Sequence, residues 1–167
     1  MAMALDLFEK LVRATVLSDA VEGAATTTQT GLPLHPFELH NIHPDFPLKV
    51  RSLFDDGYGA EATFHAFKFI EKIVQKHSGS TEIGRRLMMT AFKKDAPLIK
   101  LNDLLNTSEL DEQEGYSFIF SGAMMAVRNP GGHEIELSDD PDVCLEHLAF
   151  GTFLLRRLER SGYMTDK

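Results

Sequence analysis

Apolar residues recur at three- and four-residue intervals along most of this chain, a spacing that predicts helices. Leu5, Phe8, Leu11, Val12, Ala14, Val16 and Leu17 predict a first helix within Leu5–Val21. Ala60, Phe64, Phe67, Ile70 and Val74 line one stripe of a helix over Ala60–His77, widened by Ala66, Phe69 and Ile73. Glu61, His65, Lys68, Lys72, Gln75 and Lys76 fall on the opposite side, so this helix is amphipathic. Gly79 stops it, and Ser80 or Thr81 is placed to cap another helix through "EIGRRLMMTAFKK", with Leu87, Met88, Ala91 and Phe92 inward. Pro97 ends that one.

"DEQEGYSFIFSGAMMAVR" follows, with Asp111, Glu112 and Glu114 crowding its start, where the helix dipole favours anions. From Phe118 to Val127 it is apolar on nearly every side, which predicts the central and most buried helix. Gly115, Gly122 and Ala126 share one stripe and would let a neighbouring helix approach closely. The last helix starts at Pro141 behind Asp140 as cap and carries Val143, Leu145, Leu148, Ala149, Phe153, Leu154, Leu155 and Leu158 inward. It ends at Arg156, Arg157 and Arg160 before Gly162. No stretch alternates like a half-buried strand. The fold class is all-α: an up-and-down bundle of four principal helices, with an extra N-terminal helix and short helical pieces.

Punctuation divides the chain. "GAATTTQTG", Gly23–Gly31, is small and uncharged and reads as a connector, so residues 1–33 form an appendage, 34–162 the bundle and 163–167 a tail. "HPFELHNIHPDFP" holds three prolines, which exclude a long regular element. Its His35, His40 and His43 match no zinc spacing and read as loop histidines. Leu48–Phe54 predicts a short helix closed by "DDGYG".

At 167 residues and 43% hydrophobic, the chain is long enough for one domain with a sizeable core. No apolar run reaches the roughly 18 residues of a membrane span, and the first residues lack the basic start and apolar centre of a signal peptide. Cys144 is the only cysteine, so no intrachain disulfide forms and a reducing cytoplasm is the expected compartment. The net charge of −8 argues against nonspecific coating of nucleic acid, but its distribution is uneven. Ile83–Leu101 carries five cations against one anion. Either this is a solvated helix face, or Arg85, Arg86, Lys93 and Lys94 form an RNA-facing patch.

The chemistry concentrates in "AVRNPGGHEIE", Ala126–Glu136. Arg128 suits the last turn of a helix, Asn129 can cap its end, and Gly131-Gly132 lets the chain fold back. His133 would then stand beside Arg128. An arginine offers a fixed charge and a planar fork for phosphate oxygens; a histidine exchanges protons near neutral pH. The pair suits attack of an RNA 2′-hydroxyl on the adjacent phosphodiester, with His133 as acid or base and Arg128 on the phosphate. Asn129 would orient the scissile group or the histidine. This chemistry calls for no metal and no cofactor. One histidine serves one end of the reaction at a time, so two Arg128/His133 sets in a symmetric homodimer would complete the site. The blander alternative makes Arg128 a dipole cation, Asn129 a cap and His133 a loop residue.

"RNPGGH" resembles the Arg-polar-x-x-x-His motif of the HEPN superfamily of small helical bundles. "LHP" at Leu34–Pro36, "LMMTAF" at Leu87–Phe92, the block Asp111–Pro130 and "LLRRLE" at Leu154–Glu159 resemble the Ymh-type branch, over about Leu34–Arg160. The resemblance implies a metal-independent endoribonuclease, acting as a homodimer on RNA in a bacterial toxin or anti-phage system. An antitoxin or defence-system protein would then be its partner. It carries catalytic roles to Arg128, Asn129 and His133. Gly131 and Gly132 stand where that branch often has a basic residue and alanine, and Ile135 where some HEPN toxins carry a tyrosine modified by a partner nucleotidyltransferase. The other function class is a catalytically silent HEPN-like module that binds a partner protein or nucleotide.

Overall fold

The computed structural model describes residues 34–130 and 139–165. The first predicted helix, Leu5–Val21, lies outside them. The chain divides into units Met1–Pro33 and Leu34–Lys167. The described part of the second unit is all-helical, with no strand: α1 (Pro36–Leu39), α2 (Leu48–Asp55), α3 (Gly59–Ser78), α4 (Gly84–Ala91), α5 (Thr107–Ala123) and α6 (Pro141–Arg160). A five-residue π-helical turn, Met124–Arg128, extends α5. Helix α3 packs against α2 and α6, α4 against α5, and the π turn against α3 and α4. Phe67, Ile70, Leu87, Phe92, Phe120, Met124, Leu148, Leu154 and Leu155 are fully enclosed between them. The Phe92 and Phe120 rings stack at 4.4 Å. Each such side chain contributes roughly 1.5–3 kcal/mol by leaving water.

The ends of α3 and α6 follow local signals. Gly79 closes α3 in the left-handed conformation at φ 66°. Asp140 caps α6, its carboxylate accepting from the N–H groups of Asp142 and Val143, with Pro141 in the first turn.

Three expectations need correction. Helix α4 starts at Gly84, not behind Ser80 or Thr81, because Gly84 takes φ 57° and spends its N–H on the Glu71 carboxylate. Helix α5 starts at Thr107, ahead of the acidic run. Asn106 accepts from the Glu109 N–H at 3.1 Å and donates to the Glu109 carboxylate at 2.7 Å, a reciprocal cap. Nor is α5 buried all round: Phe118 (59% exposed), Ile119 and Met125 face solvent, as do Val143 and Phe153 of α6. A Cβ built at Gly115 or Gly122 would meet nothing within 4 Å, so among the described residues no helix packs closely on those two glycines.

The non-helical connections are pinned by buried polar groups. Gln113, fully enclosed, donates to the Phe92 and Ile99 carbonyls and accepts from the Leu101 N–H, which fixes the α4–α5 connection. Past α6, the Tyr163 hydroxyl accepts from the Lys100 N–H, and the Met164 carbonyl bonds the His77 ring at 2.9 Å.

Candidate active site

Arg128 is the last residue of the π turn, in which the Asn129 N–H reaches back to the Met124 carbonyl at 3.0 Å. π turns inside α-helices occur frequently at functional sites. In this widened turn Arg128 falls about one turn after buried Met124, so its side chain runs along the core side and is only 15% exposed. An arginine so enclosed needs a counter-charge.

Glu71 supplies it. The stripe of α3 that buries Phe67 and Val74 also carries Glu71, whose side chain is 0% exposed. One carboxylate oxygen, Oε2, accepts from Arg128 at 3.2 Å and from the Lys68 ammonium at 2.5 Å. The other, Oε1, accepts from the Gly84 N–H at 2.5 Å. Burial alone would raise the Glu71 carboxyl; the Lys68 bond, the Gly84 bond and the Arg128 charge outweigh it and hold it below the ordinary carboxylate value. Arg128 also bonds the Asn129 side-chain oxygen at 3.1 Å and lies over the Phe64 ring, 5.4 Å from its centroid. Its Nε is buried with no partner among the described residues. Phe64, Lys68 and Glu71 follow one another at four- and three-residue steps on α3, so a single helix face forms the floor beneath Arg128.

Among the described residues this centre holds two cations against one anion. It can bind and orient an anion, and Arg128 is pre-set in position. The structure brings Asn129 to Arg128. His133, with Gly131, Gly132 and Ile135, lies outside the described residues. Two cations of the basic segment are ion-paired. Arg86 pairs with Glu82 at 2.6 Å, and Lys94 bonds Asp111 and Glu114 at 3.0 and 3.1 Å, which raises its pKa. Arg85 and Lys93 are exposed.

Glu71 and Lys68 escaped the reading by motif. A signal for Glu71 was present: an acid three before Val74 and four after Phe67 sits on the apolar stripe and must find a cation inside.

Of the three loop histidines, His35 and His43 go to different partners. His35 caps α1 and bonds Asp55 at 2.6 Å, while His43 faces Glu159 at 3.1 Å. His43, Asp45 and Glu159 do approach closely enough to surround an ion. Their contacts here are to one another: the Asp45 N–H lies 3.2 Å from His43 Nδ1, and His43 Nε2 faces the Glu159 carboxylate.

Fold and site together define a helical bundle with a half-buried, ion-paired arginine at the end of the π turn that extends α5. The chain belongs to the Hypoth_ymh family, described as proteins of unknown function, whose model matches residues 40–158. No curated protein and no solved structure gives a significant match. No helix among the described residues is long and apolar enough to cross a membrane.

Proposed function

We propose that this chain is a metal-independent endoribonuclease of HEPN type, cleaving RNA at a site shared across a homodimer. The observation that carries the reading is the anchoring of Arg128. A merely helix-terminal arginine would wave in water; this one is held by Glu71, Asn129 and Phe64 at the head of the Arg-Asn-x-x-x-His motif. In the reaction, His133 takes the proton of the 2′-hydroxyl, O2′ bonds to phosphorus and the bond to O5′ breaks. The leaving oxygen takes its proton from the second copy's His133, and Arg128 holds the phosphate as charge grows on it. The products are a 2′,3′-cyclic phosphate and a free 5′-hydroxyl. A toxin or anti-phage system in the cytoplasm, with a silencing protein partner, is the setting this activity would suit.

Support for the second copy comes from the open face of α5 and α6. A groove of about 390 Å³ runs along Phe118, Ile119, Gly122, Ala126, Val127, Phe150 and Phe153. Large apolar side chains around a glycine floor suit a helix of another molecule. The same face favours the silent binding module as the second reading, with a different protein in the groove.

The test is incubation of purified protein with RNA and DNA in the presence of a chelator. RNA should yield a 2′,3′-cyclic phosphate on the 5′ fragment, and DNA should stay intact. His133→Ala should lose about 10²–10⁴ in rate with its melting temperature unchanged. Arg128→Ala also breaks the Glu71 pair, so Arg128→Lys, which keeps the charge but not the fork, is the more informative partner. Equal rates for wild type and His133→Ala would remove the histidine from the mechanism and leave the binding module standing.

A further inference from the structure

We propose that Lys68 is a second phosphate-binding cation of the Arg128 site, and that Glu71 is the buried positioning residue that holds both. The identity of the phosphate as an RNA phosphodiester rests on the ribonuclease reading; the charge argument does not. Lys68 and Arg128 both donate to one oxygen of Glu71, at 2.5 and 3.2 Å, so their nitrogens are near enough for one phosphate to span them. The carboxylate neutralises only one of the two charges. Among the described residues, the remaining positive charge is concentrated where α3, the π turn and the start of α4 meet.

The two cations differ in freedom. Arg128 is pinned and 15% exposed; Lys68 is 33% exposed on a flexible stem. An incoming phosphate can therefore draw the ammonium from Glu71 without moving the backbone. The carboxylate keeps Arg128 and the Gly84 N–H throughout, so the fork stays oriented while Lys68 exchanges partners. Among the described residues, Glu71 is the only acid in contact with Arg128 or Lys68.

The experiment uses a fluorescent 2′-O-methyl oligoribonucleotide, which presents phosphates but has no free 2′-hydroxyl to react. Binding anisotropy is followed from about 50 to 200 mM salt. Lys68→Gln keeps an N–H donor for Glu71 and removes only the charge. It should reduce the slope of log K against log salt by about 0.7, the share of one phosphate contact on a single strand. Lys68→Arg should retain the wild-type slope. Melting temperatures recorded alongside exclude loss of fold, because a structural role alone would shift stability and leave the slope. Equal slopes for wild type and Lys68→Gln, or no binding by wild type, overturn the proposal. An all-ribose strand separates the two readings. Binding with the expected slopes but no cleavage sinks the ribonuclease and keeps the phosphate site; cleavage with equal slopes does the reverse.

Discussion

Replacing Glu71 by glutamine takes one negative charge out of the interior of α3 and strands the cations that share it. The new side chain keeps its shape, and its carbonyl oxygen can still accept from the Gly84 N–H. Its amide nitrogen cannot accept, so Oε2 is lost to Lys68 and Arg128. Lys68, one-third exposed, returns its ammonium to water at small cost. Arg128 has no such exit, lying at 15% exposure over Phe64. The dominant penalty is one half-buried guanidinium without a counter-ion, at most about 3–5 kcal/mol, the cost of breaking a fully buried pair. In a chain of 167 residues that corresponds to a fall in Tm on the order of 10 °C. Urea unfolding followed by circular dichroism at neutral pH measures it in wild type, Glu71→Gln, Arg128→Met and the double variant. The double variant should cost less than the sum of the singles by about 1–3 kcal/mol, since each single leaves a charge that the other removes. A Glu71→Gln protein within about 1 kcal/mol of wild type, or strict additivity, would refute the claim that Glu71 anchors Arg128.

Two more outcomes follow from particular contacts. The folded Glu71 pKa is depressed, so its contribution to stability is complete above the unfolded value of about 4.3 and is lost as pH falls through the lower folded value. Urea midpoints across that acid range should fall more steeply for wild type than for Glu71→Gln; parallel curves would show that another group carries the acid sensitivity. A Cβ on Gly151 would stand 3.1 Å from the Phe46 ring and 3.4 Å from Ile70, whereas one on Gly122 meets nothing within 4 Å. Thermal melts of the two alanine variants should therefore diverge, Gly151→Ala losing about 1–3 kcal/mol to overpacking and Gly122→Ala gaining up to about 1 kcal/mol of helix propensity at concentrations where the chain is a monomer.

Much of the helical plan was legible because helix signals are local. The stripe through Phe67, Ile70 and Val74 places α3, Gly79 stops it, and Asp140 with Pro141 starts α6, each within one or two turns of chain. Arg128 and Asn129 stood out as a neighbouring pair, and the structure joins them by a hydrogen bond. The start of α5 was misplaced because Asn106 and Glu109 make a stronger cap than the acids beyond them, a choice settled by side-chain geometry.

Exposure was the main thing that pattern misjudged. An apolar residue on a helix reads as buried, yet Phe118 and Phe153 face outward, because whether a face is covered depends on how many neighbours the fold supplies. The amino-acid order by itself determined an all-helical chain, the limits of its longest helices and the choice of Arg128 as a residue of interest. Only the tertiary structure decided what Arg128 touches. Glu71 lies 57 positions away, and Gly84 contributes a backbone N–H that no residue pattern encodes. A buried charge selects its partner by distance in space, through the desolvation that leaves it no other, and that distance exists only after α3, α4 and the π turn have packed.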